Sequence, residues 1–185
     1  FQQGYDVGMK AQQQNPHAAF VYGILTDASV ELGKYNEAVK MADSMCAIRP
    51  DLRSYSRISY LREIMGDYQG AKEAMKMAVK ASPAGLEQTE WCRVYLGKLY
   101  EQTGSIDTAE MIYAAANVAR PNYAPALAGL GRVEHSKKNY AAAMKYFEQA
   151  ASLVKENSYG DELVDLYRET GDEKKADSTA NALIK

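Results

Sequence analysis

The sequence predicts an all-α chain, an α-α superhelix built from tandem helix-turn-helix repeats, and three in-phase observations carry that prediction. Alanine recurs at 38, 71, 109, 143 and 176, in steps of 33 (38 to 71), 38 (71 to 109), 34 (109 to 143) and 33 (143 to 176). Five residues before each alanine stands a turn position, occupied by Gly33, Gly66, Gly104, Lys138 and Gly171. Thirteen residues before each stands a branched apolar residue: Leu25, Ile58, Leu96, Leu130 and Leu163. Self-similarity at a period in the thirties is the mark of stacked helix pairs that bury their faces against neighbouring pairs.

Each position has a physical reason. The glycine ends the first helix of a pair, because the backbone there turns left-handed at a cost of roughly 1–2 kcal/mol to a residue with a side chain. Lys138 is the exception, and Asn139 is expected to take the left-handed turn in its place. The recurrent alanine opens the buried face of the second helix, where a small side chain lets helices approach to roughly 8–10 Å. Tyr35, Tyr68 and Tyr140, with Ile106 in another copy, sit three residues before the alanine and are expected to close the inside of the turn.

In chain order, residues 1–16 read as the second helix of a partial repeat, since Pro16 precedes Pro50 by one period, with Gly4 and Gly8 at its packing positions. Those glycines weaken the helix, so this end is expected to fray or to be completed by further sequence. Residues 17–51 form repeat 1 and 52–83 repeat 2, the most regular copy. Repeat 3, 84–121, is entered through about five extra residues between Pro83 and Glu90, predicted to lengthen its first helix by a turn. Pro50, Pro83 and Pro121 stop the second helices of these copies. Repeat 4, 122–155, lacks such a proline, so its second helix is expected to run toward Lys155 before Asn157 and Gly160 permit a turn. Residues 156–185 read as a terminal cap, with Ala176, Ala180, Leu183 and Ile184 inward and Asp172, Glu173, Lys174, Lys175, Asp177 and Ser178 outward.

Composition narrows the function. With 46% AVILMFWYC in 185 residues, the chain builds a core without disulfides or metals. Its formal charge of −2, from 22 Lys+Arg against 24 Asp+Glu, leaves no cationic excess for a nucleic acid or an anionic membrane. The longest apolar run, Ala18 to Leu25, is less than half the roughly 18 residues that span a bilayer. The chain opens at Phe1 with no basic-then-apolar leader, and is read as a trimmed or mature fragment.

Cys46 and Cys92 form no CxxC, suggest neither a thiolate metal site nor a disulfide framework, and are expected to stay unbridged because distant helices of a solenoid seldom touch. Only His17 and His135 titrate near neutrality unaided, and no catalytic or phosphate-cradling motif occurs. The sequence is therefore read as non-enzymatic, with no cofactor or metal.

Repeat 3 carries Leu96-Gly97, Tyr100, Gly104, Ala109, Tyr113, Ala116 and Pro121. Repeat 2 carries Gly66-Asp67-Tyr68, Ala71, Met75, Ala78 and Pro83. In these residues the chain resembles the tetratricopeptide repeat (TPR) family over nearly its whole length, departing from it in Trp91, which stands two positions early. The resemblance implies a TPR solenoid whose first helices line a concave groove that binds protein or extended peptide. The family's groove positions fall here on Phe20, Ile24, Asp27 and Glu31, on Arg53, Arg57, Tyr60 and Glu63, and on Trp91, Tyr95, Lys98 and Gln102. They continue through Arg132, His135 and Ser136 to Asp161, Glu162, Asp165 and Arg168.

Arg53, Arg57, Tyr60, Trp91, Tyr95, Lys98, Arg132 and His135 are the peptide-binding candidates. Spacing of i, i+4, i+7 puts Arg53, Arg57 and Tyr60 on one helix face, and Trp91, Tyr95 and Lys98 on another. Arginine forks and aromatic rings combine desolvatable area with directional donors, which favours a peptide bearing a carboxylate. A purely structural use is the alternative, with each arginine paired to an acid such as Glu63 or Glu101. The Lys, Asn, Asn, Lys, Arg set by which some relatives grip chaperone tails falls on Gly23, Asp27, Arg57, Trp91 and Tyr95, none of which agrees.

The resemblance thus implies a non-catalytic scaffold or adaptor. A self-assembly module pairing through the incomplete N-terminal repeat, and an accessory domain of a larger enzyme, are the alternatives. The phrase Arg49-Pro50-Asp51-Leu52-Arg53 and the Leu61-Arg62-Glu63 after it resemble bacterial TPR proteins, some exported, which leans toward the cell envelope with the cytoplasm as alternative.

Overall fold

The computed structural model describes residues 1–154 and 158–183, and within them the chain is all-α. In order the helices are α1 (Gln2–Gln14), α2 (Ala19–Glu31), α3 (Tyr35–Ile48), α4 (Leu52–Ile64), α5 (Tyr68–Lys80), α6 (Glu87–Gln102), α7 (Ile106–Ala119), α8 (Ala124–Ser136), α9 (Tyr140–Leu153), α10 (Gly160–Glu169) and α11 (Glu173–Leu183). Their contacts divide into two units, Phe1–Cys92 and Arg93–Lys185, so the boundary falls inside α6.

The helix pairs are joined by one repeated turn. Gly33, Gly66, Gly104 and Gly171 have φ of 72°, 83°, 78° and 79°. The amide after each donates back five residues: Lys34 to Ser29 at 2.8 Å, Asp67 to Arg62 at 2.8 Å, Ser105 to Tyr100 at 2.9 Å and Asp172 to Tyr167 at 2.8 Å. This 6→1 bond closes the helix end and forces the residue before its donor into the left-handed region. The fourth copy corrects the sequence expectation. Asn139 donates to Glu134 at 2.9 Å and keeps φ at −84°, so Lys138 itself turns left-handed at 63°.

The recurrent alanines behave as their spacing requires: Ala38, Ala71, Ala109, Ala143 and Ala176 are all 0% exposed. In the second unit a larger group needs an equally specific seat. Tyr113 of α7 is fully buried, and a Cβ on Gly97 of α6 or Gly129 of α8 would stand 2.5 Å and 2.6 Å from its ring. Those two glycines make the slot that the ring fills. A neighbouring cluster joins Leu127, Phe147, Leu166 and Ala176, and there Tyr140, Leu183 and Ala180 pack at the edge.

Two further expectations change. Tyr35 and Tyr68 do not close the inside of their turns; they are 48% and 40% exposed. The helix before Lys155 does not run on: α9 has 14 residues, as α3 and α7 have, and Val154 is already extended. Backbone geometry at Val154 ends it where proline ends the others, while Lys155 and Asn157 themselves lie outside the described residues, as does Ile184.

The extra residues before repeat 3 do lengthen its first helix, 16 residues in α6 against 13 in α4 and α8. Their polar side chains are consumed locally. Thr89 Oγ1 donates at 2.8 Å to the Pro83 carbonyl, Glu90 Oε1 accepts from the Gly85 amide at 2.8 Å, and both residues are fully buried.

At the front, Gly8 presses α1 onto Leu25, and the Tyr5 hydroxyl donates to Glu37 beneath the ammonium of Lys34, 4.0 Å from the ring centre. At the other end Ala176 is buried, while Glu173, Lys174, Lys175, Asp177 and Ser178 face solvent and Asp172 caps α11 through the Lys175 amide.

Candidate functional site

In the first unit the site begins at the cap of α4. Asp51 Oδ1 accepts from the amides of Arg53 (2.9 Å) and Ser54 (3.1 Å), and Ser54 Oγ accepts in return from the Asp51 amide at 3.0 Å. This capping box fixes where the helix starts, hence which face carries Arg53 and Arg57. Arg57 is not free. Its Nε and Nη2 donate to the two oxygens of Asp27 on α2 at 2.8 and 2.7 Å, and its Nη1 donates to the Arg53 carbonyl at 3.2 Å. Gly23 makes room for that fork, since a Cβ there would come within 3.3 Å of the guanidinium carbon. The groove positions include Asp27, and the purely structural alternative pairs an arginine with an acid such as Glu63 or Glu101, which Arg132 does with Glu101. The structure gives Arg57 to Asp27, a partner 30 residues back that no local spacing marks.

Arg53, one turn earlier, is exposed, and no carboxylate among the described residues pairs with its guanidinium. Trp91 on α6 is 49% exposed. Arg53, Arg57 and Trp91 together with Leu52, Glu87 and Gln88 line an open pocket of about 550 Å³. Three of the eight sequence candidates are thereby brought into one concavity, while Tyr60, also exposed, stands further along α4 outside its lining. Leu52, Glu87 and Gln88 were missed. The signal for the last two was present, because the predicted extra turn of α6 puts i−3 and i−4 on the same face as Trp91.

The remaining candidates belong to the second unit. Lys98 is exposed with its ammonium 5.4 Å from the half-buried Tyr95 ring. Arg132 is drawn inward. Its Nε donates to Glu101 at 3.2 Å, and its Nη2 donates at 3.2 Å to the Tyr113 hydroxyl, which itself donates to Glu101 at 2.6 Å. Burial, then the hydrogen bond to Glu101, holds the Tyr113 phenol well above the ordinary tyrosine range. Burial opposes the charge of Arg132, but Glu101 and Tyr113 more than offset it and raise its pKa. His135 Nε2 is 2.8 Å from Glu169 on α10, and its ring lies 5.8 Å from that of Tyr140.

Other reactive groups are muted. Cys46 and Cys92 are both free thiols, and burial pushes Cys92 up to about 11, so it stays protonated at neutral pH. His17 is exposed in the connector between α1 and α2. Among the described residues no group of three or more His, Cys, Asp or Glu is placed to hold a metal, and no helix is long and apolar enough to cross a membrane.

Comparison with known proteins bears on this geometry. The tetratricopeptide repeat family model matches residues 52–84 and 124–157. The solved structure of the APC/C hetero-tetramer Cut9-Hcn1 superposes with a TM-score of 0.82 at 18% identity, over 98% of this chain and 36% of that one. The chain thus spans about a third of that relative's length. PilW, a type IV pilus biogenesis factor, gives 0.78 at 15% identity over 95% and 81% of the two chains. Pseudomonas aeruginosa pilF gives 0.76 at 17% over 90% and 75%. At these identities the likeness is one of fold. No curated protein sequence matches the chain.

Proposed function

We propose that this chain, which carries tetratricopeptide repeats and folds as they do, is a non-catalytic scaffold that takes an extended peptide into the pocket of its first unit. One observation carries the reading: the exposed Trp91 ring and the exposed Arg53 guanidinium share a concavity with Arg57. Trp91 supplies area to desolvate, and Arg53 supplies a fork for a carboxylate. Arg57, held by Asp27, stiffens the floor and lends only part of its charge.

Glu87 on the same wall selects against a uniformly acidic ligand and favours a peptide that pairs one carboxylate with a nearby amide or cation. Tyr95 and Lys98 are candidates within the second unit taken by itself, whereas Arg132 and His135 serve that unit's stability through Glu101 and Glu169. A bacterial source belongs to the same reading, on the strength of the Arg49-Pro50-Asp51 phrase.

Trp91, the one tryptophan of the sequence, gives the test its readout. A peptide library carrying one Asp or Glu per extended octamer is titrated against the protein and followed by tryptophan fluorescence or, for Trp91→Ala, by calorimetry. Arg53→Ala and Trp91→Ala are each expected to weaken the best binder by about tenfold or more, the scale of a hot-spot side chain. Unchanged affinity in both variants would sink the assignment.

A further inference from the structure

The first unit holds a second concavity, made by none of the residues that line the peptide pocket. Between α3 and α4 lies a pocket of about 250 Å³, walled by Val39 and Ala42 on one helix and by Ile58, Leu61 and Met65 on the other. One acid, Asp43, and one cation, Arg62, complete the lining. That volume is below the roughly 300–1,000 Å³ of a pocket for a whole small ligand and suits a single side chain. The pocket is interior to the repeats: α2 packs against α3 before it, and α5 packs against α4 after it.

The repeat register shows how the second unit treats the same place. Between α7 and α8, Glu110 stands at the Val39 position and Lys137 at the Met65 position, and the two form an ion pair at 2.5 Å that bridges the helices. Tyr146, from the following second helix, packs against Ala109, Tyr113, Leu130 and Val133. Between α9 and α10, Tyr167 stands at the Arg62 position and donates its hydroxyl at 2.9 Å to Glu148, which stands at the Asp43 position. Both grooves are thus covered by a tyrosine of the chain itself, and in the second the phenol ends on an acid.

The pocket between α3 and α4 lacks these covers. Ala74 replaces Tyr146, and Arg62 replaces Tyr167 and turns back to the Gly70 carbonyl, to which its Nη1 donates at 3.0 Å. Met65, in place of Lys137, is 57% exposed. The acid alone is kept. Asp43 is exposed, and no side chain among the described residues gives its carboxylate a hydrogen bond or an ion pair.

We infer that this pocket docks a tyrosine side chain presented by a partner polypeptide, its ring against Val39, Ile58, Leu61 and Met65 and its hydroxyl donating to Asp43. A phenol brings both parts, apolar area for the walls and a donor for the acid. Phenylalanine would supply only the first.

The probe is p-cresol, the tyrosine side chain cut at Cβ, titrated into the full chain and followed by methyl NMR of Val39, Ile58, Leu61 and Met65. Saturable shifts confined to those methyls are expected, with toluene weaker by about threefold or more. Asp43→Ala should bring p-cresol down to the affinity of toluene and leave toluene unchanged. Val39→Glu with Met65→Lys transplants the Glu110–Lys137 bridge and should cost both probes about tenfold or more. Thermal melts confirm folding, and Met65→Glu alone replaces the pair if it does not fold.

Tyrosine blocked at both ends, N-acetyl-tyrosine N-methylamide, should bind at least as tightly as p-cresol, because the partner's backbone must leave the pocket freely. Equal affinity for p-cresol and toluene, indifference to Asp43→Ala, or p-cresol binding without blocked-tyrosine binding would overturn the proposal. So would a concentration-dependent dimer in sedimentation that the double variant abolishes, because it would give the pocket to a second copy.

Discussion

In the first unit Arg57 reaches from α4 back to Asp27 on α2, and in the second Arg132 reaches from α8 back to Glu101 on α6. The two arginines span nearly the same sequence interval and join one first helix to the one before it. Their surroundings differ. The Asp27 carboxylate is 58% exposed, whereas Glu101 is 22% exposed and also accepts from Tyr113, a residue fully buried between Gly97 and Gly129. Charges in water gain little from pairing and are readily re-partnered, while charges fastened to a buried phenol belong to the core. The open pair can thus border a binding pocket at small cost to the fold, and the closed pair cannot.

The largest effects should come from the phenol. Tyr113→Ala empties the slot between Gly97 and Gly129, and is expected to cost about 3–5 kcal/mol in urea denaturation followed by circular dichroism. Tyr113→Phe keeps the ring and loses only the bonds to Glu101 and Arg132, a cost of about 1–2 kcal/mol. The phenol also sets a pH limit. Its pKa is raised in the folded chain, so its contribution is complete below the ordinary tyrosine value of about 10 and is lost as pH climbs above it. Tyr113→Phe should flatten that alkaline loss. A mild Tyr113→Ala would break the comparison at its root.

A smaller and more direct contrast lies in the acids. Glu101→Gln leaves Arg132 and the phenol hydroxyl without their common acceptor charge, and is expected to cost about 1–3 kcal/mol. Asp27→Asn should cost under about 1 kcal/mol, and it frees Arg57 toward the pocket, so affinity for a carboxylate-bearing peptide should hold or rise. Denaturation of both variants side by side decides it: equal costs, or the reverse order, would mean that exposure does not separate the two pairs.

The helix pairs and their turns were legible in the sequence because they rest on local rules, small residues at fixed offsets and a left-handed position after each first helix. The second-unit slot was half legible. Tyr113 stood out in the repeat, but nothing local announced that Gly97 and Gly129, 32 residues apart, face one ring. The pocket was legible in Arg53, Arg57 and Trp91, since helical spacing aligned the first two. The bond from Arg57 to Asp27 was not, because an ion pair between helices 30 residues apart depends on which rotamer the space beside Gly23 admits. Tyr35 and Tyr68 misled for a related reason. An aromatic residue beside a turn glycine has two sides to lie on, and only the neighbouring helix decides between them.

The smallest expected effect tests the turns themselves. Lys138 holds φ at 63° where four other copies use glycine, and the amide of Asn139 keeps it there through the bond to Glu134. Lys138→Gly removes the strain of a side chain in the left-handed region, and it also loosens the unfolded chain, which takes back part of the gain. A net stabilisation of about 0.5–1 kcal/mol is expected, a rise in melting midpoint of a few degrees. Gly104→Ala, the converse change at the equivalent turn between α6 and α7, should lose about 1 kcal/mol. Both turns close through the same five-residue bond, so opposite signs would place the cost in the backbone at that one residue. A lower midpoint for Lys138→Gly would assign the stability of that turn to the lysine side chain instead.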